Sequence, residues 1–145
     1  MREIKFRLID TKSAVWVDPK EFFITDSEVF IYYSDFDNSE KADMRHHVIL
    51  QSTGLKDCNG VEIYEGDILK RGDFPNEKPE FIVRFGQFTD SPDFYHELEY
   101  SGWYVERIGE RDKYNTSLVY VIEMLDGNVC GNIYENPELL ERDER

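Results

Sequence analysis

The chain has 145 residues, 40% hydrophobic and 14% aromatic, enough to bury a core and too much for a disordered chain. Its 31 Asp and Glu against 17 Lys and Arg give a formal net charge of -14, which repels phosphate backbones and argues against generic nucleic-acid binding. The two cysteines, Cys58 and Cys130, make no disulfide framework, and no apolar run is long enough to span a bilayer. Reduced thiols and a cytoplasmic location, with no membrane association, are the expectation.

Period-2 patterning dominates the chain. In Glu3-Ile-Lys-Phe-Arg-Leu-Ile9, residues Ile4, Phe6 and Leu8 alternate with Glu3, Lys5 and Arg7, which predicts a strand with one wet face. Residues 14–17 and 28–33, rich in β-branched and aromatic side chains, read as further strands. Between them, Asp18-Pro19 suits a turn or a short helix with an Asp cap. The polar stretch 34–45 reads as a loop, and His47 to Gln51 as a strand entering the turn-rich centre.

That centre, residues 52–70, sets Thr53-Gly54, Asn59-Gly60 and Gly66-Asp67 turn signals around Ile63 and Tyr64, then runs into a strand at Ile68-Leu69. A second loop over 71–79 contains Gly72, Pro75 and Pro79. Strands follow at 81–85, 102–107 and 118–125, with a break at 89–93 where Ser91-Pro92 suits the cap of one helical turn. Asp126-Gly127 predicts a type I′ hairpin turn. Asn136 then caps a short helix that starts at Pro137 and carries Leu139 and Leu140. The expected architecture is mainly β: a small barrel-like or folded-over antiparallel sheet with a short C-terminal helix. One domain over 1–145 accommodates it, divisible into a strand group at 1–47 and a core at 48–141.

The opening Arg2-Glu-Ile-Lys-Phe-Arg7 is one of three motifs that carry a resemblance. The others are the central Thr53-Gly-Leu-Lys-Asp57 with Asn59-Gly60 and Glu62-Ile-Tyr-Glu-Gly-Asp-Ile-Leu69, and the closing Gly131-Asn-Ile-Tyr-Glu-Asn-Pro-Glu-Leu-Leu140. Together, in this order, they resemble the YopX family of small bacteriophage and prophage proteins. The resemblance implies a compact β-rich phage protein with a barrel-like core that self-associates. It supplies no catalytic residues.

Chemistry-bearing groups have structural readings of their own. His46 and His47 are adjacent, so on a strand they point to opposite faces and share no ion easily; with His96 they are all the histidines. The acidic run Asp35-Phe-Asp37 fails the calcium-loop pattern, because Glu40 and His46 stand where Gly and Glu are needed. Cys58 sits in a turn beside Asp57, which does not favour a thiolate, and Cys130 reads as a small buried group. Trp16 and Trp103 read as core or interface residues. The carboxylates Asp57, Glu62, Glu65 and Asp67 are the best candidates for a metal-dependent hydrolase or nuclease, although Asp67 after Gly66 also suits a turn that opens a strand.

No catalytic, cofactor-binding or metal-ligating residue is assigned on this basis, and no cofactor is expected. The expected role is a phage-encoded, non-enzymatic binding or interaction module, with itself or a basic host or phage protein as partner. The alternatives are the metal-dependent nuclease and an acidic mimic of nucleic acid.

Overall fold

The computed structural model describes residues 5–25, 28–32, 39–72, 78–91, 97–109 and 114–141. The expectations at 1–4, 34–38, Pro75, Pro92 and His96 lie outside them. The strands are β1 (Phe6–Asp10), β2 (Val15–Val17), β3 (Phe22–Ile24), β4 (Val29–Tyr32), β5 (Ser39–Lys41), β6 (His47–Lys56), β7 (Glu62–Tyr64), β8 (Asp67–Lys70), β9 (Phe81–Asp90), β10 (Leu98–Arg107), β11 (Thr116–Ser117) and β12 (Asn128–Asn132). One α-helix, α1, spans Leu118–Met124, and 3-10 turns occupy Pro19–Glu21 and Pro137–Leu140. All described strand pairs are antiparallel, so the fold is mainly β as the patterning predicts.

Three sheets organise these strands in the orders β2-β1-β6-β7, β11-β10-β9-β8-β12 and β3-β4-β5. β1 lies between β2 and β6, and both of its faces are covered, not one as predicted: Leu8 and Ile9, which point to opposite sides, are both fully buried. Leu8 packs with Val29 and Ala42, tying this sheet to the small β3-β4-β5 sheet. The boundary considered at 47/48 falls inside β6, whose first residues pair with β1. Within the expected loop 34–45, Ser39–Lys41 is instead an edge strand, paired with β4. All three of its residues are exposed, so it carries no alternation to read.

The longest ladder joins β9 to β10, from Leu98↔Asp90 to Arg107↔Phe81. Gly86 and Gly102 face each other in it, with φ of 147° and 149°. That region is costly for any residue with a Cβ, so both strands bend at one point. Asn115 N–H donates to the Thr89 carbonyl beyond the bend, while Thr116 and Ser117 pair with Val105 and Tyr104 before it. One short segment thus bridges both strands, and the hairpin curls as a barrel-like sheet does.

The run 118–125 is a helix and not the predicted strand. Its β-branched residues favour a strand, but Leu118, Val121, Ile122 and Leu125 recur at helical spacing and pack on Phe81, Val83 and Val105. The Ser117 hydroxyl accepts from Tyr120 N–H and starts the helix. Asp126-Gly127 therefore ends a helix instead of turning a hairpin. Asp126 takes φ 51°, and the N–H groups of Leu125 and Gly127 converge on the Val121 carbonyl. A Cβ on Gly127 would lie 2.7 Å from Val121 Cγ1. Thr53-Gly54, read as a turn, is an irregularity inside β6, where the pairing with β7 shifts register and Gly54 adopts φ 76°.

Asp18 caps its 3-10 turn as expected, its carboxylate accepting from Lys20 N–H. Asn136 stands at the N-cap of the C-terminal turn, but its side chain makes no capping bond; its Oδ1 accepts instead from Asn132 N–H. Leu139 and Leu140 pack against Ile68, Ile82 and Ile108. Gly131 permits this closure, since a Cβ there would lie 2.7 Å from Leu139 Cδ1 and 2.9 Å from Asn136 Oδ1.

Candidate functional site

The three motifs of the sequence meet at one junction. Asp57, at the end of β6, accepts from Asn59 and Val61 N–H on Oδ1 and from Val129 N–H of β12 on Oδ2. Asp67, at the start of β8, accepts from Tyr64 N–H on Oδ2 and from Asn132 Nδ2 on Oδ1. Between them the turn at Gly66 (φ 82°) donates to the Val83 carbonyl and accepts from Ile133 N–H. The central and closing motifs are thereby fastened through two buried carboxylates and a glycine.

The opening motif joins by its cation. Arg7 on β1 sets its guanidinium 4.2 Å from the Tyr64 ring centroid and 5.1 Å from that of Trp16. Trp16 Nε1 in turn donates to Glu135 Oε2 at 2.8 Å, across 119 residues of sequence. Glu62 accepts from the Ser52 hydroxyl at 2.8 Å and lies 3.7 Å from Lys5 Nζ. The two Ile-Tyr-Glu triplets, at 63–65 and 133–135, thus flank a single turn.

The electrostatics match this fastening role. Burial pushes the Asp67 carboxyl up to about 6, against the opposing pull of hydrogen bonds from Tyr64 N–H and Asn132. Burial also raises the Tyr64 hydroxyl, helped by the Glu62 charge. Of the four candidate carboxylates, Asp57 and Asp67 spend both oxygens on the chain's own donors, and Glu62 serves Ser52 and Lys5. Among the described residues, no three His, Cys, Asp or Glu side chains are grouped so as to hold a metal ion.

The other candidates are dispersed. His47 Nδ1 lies 2.9 Å from the Asp43 carbonyl oxygen, away from the motif junction. Cys58 is exposed and its thiol donates to the Asp126 carbonyl; Cys130 is half-buried, its thiol donates to the Ile68 carbonyl, and burial raises its pKa. Trp103 packs at the margin of the α1 core and meets Phe85 in a tilted ring contact, their centroids 4.8 Å apart.

A second region was not singled out in the sequence. Past Gly86 and Gly102, the β9–β10 hairpin leaves Phe85 59% exposed and Tyr100 45% exposed. Phe88 stacks on Tyr100 and, diagonally, on Tyr104, filling the space beside the glycine pair. A cleft of about 360 Å³ opens here, lined by Gln87, Phe88, Thr89, Glu99, Tyr100 and Ser101. The legible trace was a glycine within an aromatic cluster on each strand, Phe85-Gly86-Gln-Phe88 and Gly102-Trp-Tyr104.

The protein EF1440 from Enterococcus faecalis, known from a crystal structure, is 29% identical to this chain. The match covers 97% of this chain and 100% of that one, with a TM-score of 0.47. A comparison with curated proteins gave no match. The family model described as YopX protein matches residues 5–141, a span that contains the central and closing motifs and the last residues of the opening one, so the chain belongs to the YopX family.

Proposed function

We propose that this chain is a non-enzymatic binding module, encoded by a bacteriophage or prophage and acting on a protein partner in the host cytoplasm. One contrast carries the reading. The buried carboxylates of the motif junction are spent on internal hydrogen bonds, while the distal β9–β10 hairpin leaves aromatic side chains uncovered. Uncovered aromatics beside a cleft are what partner recognition uses. The acidic residues give weaker support to nucleic-acid mimicry, because Glu28, Asp43, Glu62, Glu80 and Glu106 each lie beside a Lys or Arg, which breaks up a phosphate-like row.

The test pairs two measurements on the full chain. Affinity capture from bacterial extract in the presence of EDTA is expected to retain a protein partner. Thermal unfolding is expected to be unmoved by Mn²⁺ or Mg²⁺. Strong stabilisation by either ion, lost in Asp67→Asn and accompanied by nuclease activity, would replace the binding reading with the metal-dependent one.

A further inference from the structure

The inner face of the β9–β10 hairpin, the one that carries Phe81, Val83 and Val105, changes character along its length. Near β8 it is buried under α1. At the bend it is the tilted Phe85–Trp103 ring pair, with Phe85 largely open to solvent. Past the bend the same face carries Gln87, Thr89, Glu99 and Ser101, which line the 360 Å³ cleft together with Phe88 and Tyr100. Apolar surface therefore passes into a carboxylate surrounded by oxygen acceptors. A long side chain with a cationic end has that shape and chemistry.

Charge favours the same occupant. From Phe85 to Glu106 the sequence holds five acidic residues (Asp90, Asp93, Glu97, Glu99 and Glu106) and no Lys or Arg. The bordering Arg84 lies 3.5 Å from Glu106, and no ion pair to Glu99 or Asp90 occurs among the described residues. With a formal net charge of -14, the whole molecule draws cations toward this face.

We propose that the inner face of the distal hairpin docks a basic polypeptide segment of a partner protein, with one arginine of that segment laid over Phe85 and Trp103 and its guanidinium at Glu99. Arginine fits better than lysine, because its planar fork offers several donors at once to Glu99, Gln87 and the hydroxyl oxygens of Thr89 and Ser101. This rests on the binding-module reading and adds to it a surface and the chemistry of the partner.

The test titrates an oligoarginine peptide, an oligolysine peptide and a neutral Gly/Ser peptide into the isotopically labelled full chain, read by nuclear magnetic resonance. Saturable shifts are expected at the Gln87, Glu99 and Ser101 amides and the Trp103 indole, with the neutral peptide silent. Glu99→Gln and Phe85→Ser, both surface changes, should each weaken oligoarginine binding by about fivefold at fixed salt, and oligolysine should bind about two- to fivefold more weakly than oligoarginine. Glu21→Gln, exposed on the N-terminal 3-10 turn, should leave binding unchanged.

Absence of oligoarginine binding, or equal weakening by Glu21→Gln, overturns the proposal, the latter because it reports only a diffuse field. Shifts at the same amides that depend on protein concentration without peptide would assign the face to a second copy of the chain, and overturn it as well. If a captured host partner binds Phe85→Ser and Glu99→Gln as well as the parent, the docking site fails and the binding module stands. If neither partner nor peptide binds, both fail.

Discussion

The Asp67 carboxyl makes the stability of this fold depend on pH in a direction opposite to that of a salt-bridged acid. The side chain is 1% exposed, and its pKa rises from 3.8 to about 6, mainly through burial. Between those values the folded chain holds a proton that the unfolded chain releases, so stability falls as pH rises. A shift of roughly two units corresponds to about 3 kcal/mol, absent below about pH 4 and complete above about pH 6. The Asp67→Asn variant carries no titrating group there. Its amide does place a donor against Asn132 Nδ2, which already donates to this position, but that cost is independent of pH. Subtracting the two stability curves therefore isolates Asp67, because every other carboxylate is common to both proteins. Urea unfolding followed by Trp fluorescence, from about pH 4 to about pH 8, should show the parent losing about 3 kcal/mol relative to Asp67→Asn. Parallel curves would refute the reasoning. A relative gain with rising pH would mean that the Tyr64 and Asn132 hydrogen bonds outweigh burial.

Three further outcomes test the fastening. Asp57→Asn must abandon at least one of its three backbone donors and should cost about 1–3 kcal/mol, whereas Asp57→Ala abandons all three and should cost about 3–5 kcal/mol in chemical denaturation. Gly131→Ala should lose about 1–3 kcal/mol through the contacts its Cβ makes with Leu139 and Asn136, and adding Leu139→Ala should cost less than the two single losses summed. Gly86→Ala and Gly102→Ala meet open space, so their cost of about 1–3 kcal/mol each is backbone strain; amide exchange at Asn115, which ties down the curl, should accelerate in both.

Much of the architecture was legible because β-branched and aromatic residues cluster between turn signals, as along β4 and the start of β9. The pattern failed where two local signals competed. The run 118–125 holds strand-favouring residue types at helical spacing, and burial of Leu118 and Val121 against the hairpin decided for the helix. Asp126-Gly127 suits either a hairpin or a helix end, and only the helix before it settles which. The edge strand β5 is exposed throughout and left no pattern to find. At the junction, the carboxylates Asp57 and Asp67 stand out in the sequence, but their partners do not. Val129 lies 72 residues from Asp57 and donates only its backbone N–H, which no side-chain pattern encodes. The Gly86–Gly102 bend was hidden for the same reason, since each glycine acquires meaning from its cross-strand partner.

The motif junction and the hairpin differ in what a substitution there disturbs. At the junction both oxygens of Asp57 and of Asp67 are engaged, Gly66 has φ 82°, and Gly131 has no room for a Cβ. A change at any of these reaches the fold first, because the lost partner is buried backbone. Phe85, Glu99 and Tyr100 are exposed, so replacing them removes little that folding created. The motifs that identify the family therefore report on how the chain closes, and the residues proposed to choose a partner lie on the surface that closure leaves open. A stability screen and a binding screen over the same variants should accordingly select different positions: the first Asp57, Asp67 and Gly131, the second Phe85 and Glu99. If one set of positions governed both readouts, binding would have to pass through the junction, and the hairpin would be only a strut.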